Sequence, residues 1–173
     1  MTDRLNRAKG ANALGFDHSY ARLGPAFSPP QAPDPVSDPR LLLWNQNLAD
    51  TLGWSGDPQS DAAQLAALAG NTPLRDSHPI ATVYAGHQFG QYNPQLGDGR
   101  ATLLGEWLTP SGERFDIQLK GAGPTAYSRG GDGRSPIGPV IREYLVSEAM
   151  FLSLIHISEP TRQEAISYAV FCL

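Results

Sequence analysis

The segment Arg114–Lys120 constrains the fold most, because its side chains alternate strictly between apolar and polar. Such alternation is typical of a β-strand with one buried face. The segment Thr102–Leu108 has strand character too, and TPSGE between the two predicts a turn. Together they predict a β-hairpin that ends at Lys120, directly before a glycine-rich loop. The expected inner face carries Phe115, Ile117 and Leu119, and the outer face carries Asp116, Gln118 and Lys120.

Helical patterns lie on both sides of this hairpin. Apolar residues three or four apart predict a helix over Val140–Met150. Two earlier helices are predicted, one from Asp38-Pro39 to Gly53 and a short one from Asp61 to Gly70, with Asp61 as its N-cap. The stretch Tyr84–Arg100 contains four glycines and a proline and is interpreted as a long loop. The predicted fold class is therefore α+β.

The first 39 residues are expected to contribute little regular structure. Residues 1–15 are polar and are interpreted as a flexible N-terminus. The segment Phe16–Leu23 is apolar enough to dock on the rest of the chain. Six prolines between Gly24 and Pro39 remove backbone donors and fix φ, which predicts an extended strap along the surface.

Composition limits the class of protein. The chain has 173 residues, enough for one domain, with 40% hydrophobic and 17% charged residues. Its net charge of −4 includes no basic run, so no nucleic-acid partner is expected. No apolar stretch approaches the roughly 20 residues that span a bilayer, so no membrane partner is expected. The single cysteine and the absence of an apolar leader favour a cytoplasmic protein.

The last segment, residues 152–173, reads as translated adapter DNA. LSLIHISEPTR is what a transposase-type sequencing adapter encodes in one reading frame, and ISYAVFCL is what the flow-cell end of such an adapter encodes. The gap between the two strings has the size of a sample index. We therefore interpret residues 152–173 as a non-native tail and expect few specific contacts between it and the body.

Several residues around Lys120 suit a polyphosphate ligand. Two Gly-Asp-Gly-Arg turns, at 97–100 and 131–134, offer backbone N–H groups and arginines. Lys120 adds a compact cation, and Glu143 on the predicted helix could pair with it. The alternatives remain that the turns are purely structural and that Lys120 is a solvated surface residue. The P-loop motif GxxxxGK[ST] does not occur, which excludes that class of nucleotide site.

Three long blocks resemble the N-terminal signature of the selenoprotein O family, called YdiU in bacteria. They are YAGHQFGQYNPQLGDGRATLLGE, QLKGAGPTAYSRGGDGRSP and IREYLVSEAM, and the resemblance covers about Phe16–Met150. The resemblance implies a protein-kinase-like fold, of which residues 16–151 would form the N-lobe. It also implies a bacterial protein adenylyltransferase that uses ATP with Mg²⁺ or Mn²⁺ and transfers AMP to Ser, Thr or Tyr hydroxyls of protein substrates.

The resemblance assigns roles to individual residues as well. Glu143 would hold Lys120, while the family's proton-accepting Asp and its metal-binding Asn and Asp would lie beyond Met150. We therefore expect a fragment without catalytic or metal residues of its own and without transfer activity. The alternative is a nucleotide-binding pseudokinase with a regulatory role. The implied nucleotide-binding residues are Gly97, Gly99, Arg100, Lys120, Asp132 and Gly133.

Overall fold

The structure is a computed structural model that describes residues 15–153 and 171–172. The described residues have the predicted α+β class, with antiparallel sheets and three α-helices. The helices are α1 (Gln46–Leu52), α2 (Ala62–Leu68) and α3 (Ile137–Ser153). The strands are β1 (Phe16–Asp17), β2 (Leu41–Leu43), β3 (Val83–Gln88), β4 (Gln91–Gly97), β5 (Ala101–Leu108), β6 (Arg114–Lys120) and β7 (Phe171–Cys172).

The predicted hairpin forms the centre of the fold. β5 and β6 pair antiparallel from Leu108↔Arg114 to Ala101↔Lys120, and β1 adds to the other side of β5. The alternation in β6 is confirmed, because Leu119 is buried and Lys120 is exposed. The hairpin therefore places Lys120 at the end of its strand with the ammonium on the outer face.

β5 is covered on both faces, so its sequence does not alternate as that of β6 does. Residues 102–107 are all buried. Trp107 donates its indole N–H to the carbonyl of Leu52 over 2.6 Å and so ties the sheet to α1. Gly105 lies at a register shift, where a Cβ would come within 2.8 Å of the rings of Phe16 and His18. The close approach of β1 therefore requires glycine at this position.

The docking predicted for Phe16–Leu23 is confirmed. Besides the β1–β5 pairing, the buried carboxylate of Glu106 accepts hydrogen bonds from this segment. Ser19 donates through its backbone N–H and its hydroxyl, each over 2.7 Å, and Tyr20 donates its N–H over 2.8 Å. A buried carboxylate needs such donors to offset its desolvation.

The proline-rich segment is irregular, as predicted, and follows the body as a strap. Pro30 forms an isolated bridge with Ile80, one of the most buried residues of the core. Further along, the N–H of Asp34 donates to the carbonyl of Ala122 over 2.7 Å. The strap thus braces the loop that follows Lys120.

The helix predicted from Asp38 to Gly53 is wrong in its first half. Leu41–Leu43 is the strand β2, and α1 starts only at Gln46. The helix begins there because Asn45 is an N-cap whose side chain accepts the N–H of Leu48 over 3.0 Å. The apolar spacing gave no sign of this later start. The predicted end is confirmed, since Gly53 adopts a left-handed conformation after α1.

The other two helices agree better with the sequence. Asp61 caps α2 as predicted, because its side chain accepts the N–H groups of Ala63 and Gln64. Gly70 follows α2 with a positive φ of 82°. α3 contains the predicted Val140–Met150 and extends beyond it at both ends.

The prediction of a loop over Tyr84–Arg100 is wrong, because most of this stretch is the β3–β4 hairpin. Phe89 and Gly90 form its two-residue connection, and both have positive φ, as a type I′ turn requires. Pro94 falls where the register shifts, a position that does not need its missing N–H. Gly90 therefore marks the turn of this hairpin, and Pro94 marks its bulge.

The predicted tail and the predicted flexible N-terminus lie largely outside the described residues. Within the described part, Phe171–Cys172 pairs with Leu41–Leu43. This backbone pairing was not expected, because the tail was predicted to make few specific contacts with the body. None of the described helices is both long enough and apolar enough to cross a membrane.

Candidate functional site

Lys120 and Glu143 form the ion pair that the sequence predicts. The lysine Nζ lies 2.7 Å from Oε1 and 2.6 Å from Oε2 of Glu143, so both carboxylate oxygens accept from one ammonium. The strand end supplies the cation, and the second turn of α3 supplies the carboxylate. The contact joins the central sheet to α3.

This pair stabilises the fold only slightly. The side chains are 38% and 42% exposed, and an ion pair at such exposure contributes about 0–1 kcal/mol. Its main consequence is geometric, because a lysine held at both carboxylate oxygens points in one direction. Lys120 is therefore a preorganised cation at the end of β6.

The first Gly-Asp-Gly-Arg turn lines an open cleft of about 270 Å³. Asp98 does not line the cleft, and its carboxylate accepts hydrogen bonds from the hydroxyls of Thr82 and Tyr84. Burial raises the pKa of Tyr84, and the nearby Asp98 carboxylate raises it further. Arg100, in contrast, is exposed at the cleft. The cleft-lining residues include Gln88, Gly97, Gly99, Arg100, Ser128 and Arg129.

Both glycines of this turn are explained by packing against Tyr127. A Cβ on Gly97 would come within 2.3 Å of the Tyr127 ring, and one on Gly99 within 2.9 Å of its carbonyl oxygen. Thr125 donates its hydroxyl to the carbonyl of Asp98 over 2.6 Å, and Ser128 donates to Gly99 over 2.5 Å. Residues 125–128 therefore clamp the turn that bears Arg100.

This clamp was missed by the sequence-based assignment of site residues. Its signal is the string TAYS after Gly-Pro, since Ser and Thr hydroxyls commonly satisfy backbone groups in turns. The partner, however, lies about 30 residues away in the chain, as in the bond from Ser128 to Gly99. Spacing alone does not reveal such a partner.

The second Gly-Asp-Gly-Arg turn packs on the loop after Lys120. A Cβ on Gly133 would lie 1.9 Å from the carbonyl oxygen of Gly123, so only glycine fits there. Asp132 is exposed, and its carboxylate accepts the N–H of Arg134 over 2.9 Å. Packing thus accounts for Gly133, while the Asp132 carboxylate stays at the surface.

The predicted residues fall into two adjacent groups. Gly97, Gly99 and Arg100 line the cleft. Lys120, Glu143 and the second Gly-Asp-Gly-Arg turn, with Asp132 and Gly133, do not line it. The groups meet at one backbone bond, from the N–H of Gly121 to the carbonyl of Arg100, over 2.7 Å. Arg100 and Lys120 therefore lie at the same end of the β5–β6 hairpin, although only Arg100 lines the cleft. The nucleotide role of all seven predicted residues stays a prediction.

Comparison with known sequences decides the family. The profile of the family described as "Protein adenylyltransferase SelO" matches residues 11–159. The chain belongs to the SelO family. The match includes both Gly-Asp-Gly-Arg turns, Lys120 and Glu143, and it ends eight residues beyond Phe151.

Curated SelO relatives are similar over most of this chain, and each carries the name protein nucleotidyltransferase YdiU. The relative from Maridesulfovibrio salexigens is 51% identical over 92% of the chain. The one from Rhizobium rhizogenes is 52% identical over 93%, and the one from Bacillus cereus is 50% identical over 86%. The chain spans about a third of the length of these relatives, with values of 34%, 34% and 32%.

Proposed function

We propose that this chain forms part of the ATP site of an enzyme that transfers AMP to Ser, Thr or Tyr hydroxyls of proteins. The observation that carries the proposal is the Lys120–Glu143 pair at the end of the β5–β6 hairpin where Arg100 also lies. The names of the family and of its curated relatives support adenylyl or nucleotidyl transfer.

The chemistry needs cations at this place. Attack of a hydroxyl at the α-phosphorus increases negative charge on the phosphate chain and on the leaving pyrophosphate. Preorganised cations stabilise such charge without reorganising during the reaction. In the proposal Lys120 and Arg100 provide this charge, and Glu143 keeps the lysine extended.

The arrangement also suits a protein-kinase-like N-lobe. A strand lysine paired with a helix glutamate is the contact that protein kinases use to hold the phosphates of ATP. Here the lysine lies on an antiparallel sheet and the glutamate on the helix that follows the glycine-rich loop. We propose that residues 16–151 correspond to that lobe.

The described residues do not fit a metal site by themselves. They contain no group of three or more His, Cys, Asp or Glu side chains placed to hold an ion. We propose that the ligands for Mg²⁺ or Mn²⁺, and the base that accepts the hydroxyl proton, belong to the part of the relatives that this chain does not span. The 173-residue chain alone would then bind nucleotide without transferring it.

The test separates binding from transfer. Residues 16–151 would replace the matching segment of the Maridesulfovibrio salexigens relative, and incorporation of labelled AMP into protein would be measured with Mg²⁺ or Mn²⁺. ATP binding to the unmodified 173-residue chain would be measured by calorimetry. Incorporation by the chimera and ATP binding by the chain are expected.

Two other results would change the conclusion. ATP binding without incorporation by the chimera, when the intact relative is active under the same conditions, would favour a regulatory pseudokinase. No ATP binding by either protein, with both folded as judged by circular dichroism, would refute the proposal.

A further inference from the structure

Arg129 is a second arginine at the cleft, and neither the sequence motifs nor the proposed function assigns it a role. It lines the same cleft as Arg100. Within residues 15–153 neither guanidinium forms an ion pair with a carboxylate. The Asp98 carboxylate next to Arg100 does not line the cleft and is engaged by hydroxyl donors. Two cations therefore share one cleft, and among the described residues neither is paired with a carboxylate.

A side chain of β3 holds Arg129 at the cleft. One of its terminal nitrogens donates to the side-chain oxygen of Gln88 on β3 over 2.9 Å. Gln88 is neutral, and guanidinium carries five donors, so this contact orients the group and leaves most of its donors for a ligand. A planar guanidinium with free donors suits phosphate oxygens.

The turn from Ser128 to Gly131 gives Arg129 an unusual backbone conformation. Its φ is 53°, in the left-handed region that disfavours side chains with a Cβ, and its side chain is exposed. The preceding residue Ser128 is fixed by the clamp on Gly99, and Gly131 donates its N–H to the carbonyl of Ser128 over 2.9 Å. These bonds hold the turn so that residue 129 reaches the cleft, where glycine would have been easier to accommodate.

We propose that Arg129 binds the phosphate chain of a nucleoside triphosphate in this cleft, with Gln88 as its positioning residue. The inference rests on the proposed function for its ligand, and it adds a residue to that site. The phosphates would contact both Arg129 and Arg100, which line the same cleft, and Lys120 at the end of β6 would contact phosphate oxygens that extend beyond it.

The experiment measures binding to the 173-residue chain by calorimetry, with inorganic tripolyphosphate, ATP and adenosine as the three probes. Arg129→Gly removes the guanidinium and relieves the positive φ. We expect tripolyphosphate and ATP to bind about ten- to a hundredfold more weakly, as for loss of a charged hydrogen-bond partner, with adenosine unaffected. The melting temperature should stay equal or rise, a combination that a purely structural role does not produce.

Gln88→Leu tests the positioning role. It should weaken tripolyphosphate binding severalfold in the wild-type chain and have no effect in the Arg129→Gly background, since the two residues act through one contact. The matched control is Arg75→Gln, which removes a surface arginine that does not line the cleft. It should leave binding at the wild-type level.

The outcomes distinguish this inference from the proposed function. Three results would overturn the role of Arg129. The first is that Arg129→Gly binds both phosphate probes with wild-type affinity. The second is an equal loss of affinity in Arg75→Gln, and the third is that the wild type does not bind tripolyphosphate. If Lys120→Ala still lost ATP binding in the first case, the proposed function would stand without it. Arg129-dependent binding of tripolyphosphate with no binding of ATP would support the anion site and contradict the proposed function.

Discussion

The molecule uses charge in one way where β1 docks on β5 and in another way at the cleft and the nearby end of β6. Where β1 docks on β5, every carboxylate is surrounded by donors: Glu106 accepts three hydrogen bonds, and Asp17 pairs with Arg22 and Arg114. At the cleft and the adjoining edge of β6 the cations have few partners. Lys120 has one carboxylate, and among the described residues Arg100 and Arg129 have none. The first region binds its own chain, and the second is suited to bind an anion.

The two regions differ in whether the fold itself supplies partners for each charged side chain. A buried charge without partners costs several kcal/mol, so the donors around Glu106 are needed for folding. Exposed cations cost little, so nothing in folding requires Arg100 or Arg129 at the cleft. Substitutions in the two regions should therefore change different quantities, stability in one region and ligand chemistry in the other.

The largest effect is expected for Lys120→Ala in the chimera described above. AMP incorporation should fall by about 10²–10³, the usual loss for one preorganised group that stabilises transition-state charge. Lys120→Arg should not restore it fully, because guanidinium differs in length and shape. Glu143→Gln should cost less, since it loosens the lysine without removing a cation.

The stability of the same variants is the control. Since the Lys120–Glu143 pair contributes about 0–1 kcal/mol, the melting temperature should change little. Arg40→Ala, at a surface pair with Asp38, should leave incorporation unchanged. Normal incorporation by a well-folded Lys120→Ala protein would mean that Lys120 is an ordinary surface residue.

The opposite result is expected for Glu106→Ala. Three donors from Ser19 and Tyr20 would lose their acceptor, and the free energy of unfolding should fall by about 2–3 kcal/mol. Urea unfolding followed by fluorescence would measure it. Glu113→Ala, at an exposed turn, should change stability by less than about 0.5 kcal/mol. A stable Glu106→Ala protein that bound ATP poorly would break the division between the two regions.

The sequence predicted those parts of the site that depend on local pattern. Period-two alternation placed Lys120 at the outer end of β6, and helical spacing placed Glu143 on α3, so their pairing could be predicted. The clamp from Thr125 to Ser128 could not, because its partners in the first turn are fixed by tertiary packing. The glycine content of Tyr84–Arg100 suggested a loop, but two of these glycines, Gly97 and Gly99, are required because Tyr127 packs against them.

The fold shows the same limit. The start of α1 depends on one capping side chain, that of Asn45, and apolar spacing carries no information about it. The β3–β4 hairpin depends on a Phe-Gly turn, which is far from the usual Asn-Gly or Asp-Gly. Both errors arose where a single local contact or an unusual turn residue outweighed the average pattern.

A smaller effect concerns pH and Asp17. Hydrogen bonds from Arg22 above all, and then from Arg114, hold the pKa of Asp17 well below its usual range. A carboxylate with a lowered folded-state pKa stabilises the protein above its unfolded value of about 3.9, and this stabilisation is lost as the pH falls below that value. At neutral pH the free energy of unfolding of the wild type should exceed that of Asp17→Asn by about 1 kcal/mol.

The difference in the free energy of unfolding between wild type and Asp17→Asn should disappear as the pH is lowered from about 5 toward 2. Urea titrations at several pH values would show it. Asp38→Asn, whose ion pair with Arg40 is exposed on both sides, is the matched control and should differ little from wild type at any pH. A gap that widened on acidification would contradict the assigned pairing of Asp17.

The smallest effect is expected at the tip of the β3–β4 hairpin. Phe89 is 95% exposed and has a positive φ of 54°, so it contributes little burial and adopts a backbone conformation that asparagine or glycine tolerates better. Phe89→Asn creates the Asn-Gly sequence that type I′ turns prefer. Stability should rise by about 0.5–1 kcal/mol in urea unfolding. Gly90→Ala, which places a Cβ at a φ of 78°, should lower it by a similar amount.

This change also sharpens the comparison between the two regions. Of the three non-glycine residues with positive φ in the described chain, Arg129 lines the cleft and Phe89 adjoins the cleft-lining Gln88. Residues in sparsely populated backbone conformations cluster at ligand and active sites. Phe89→Asn should therefore raise stability without affecting the contacts around Glu106, and any accompanying loss of ATP affinity would place the hairpin tip in the ligand site. A fall in stability would instead show that Phe89 packs on the body in solution, and the strain at this tip would then belong to folding.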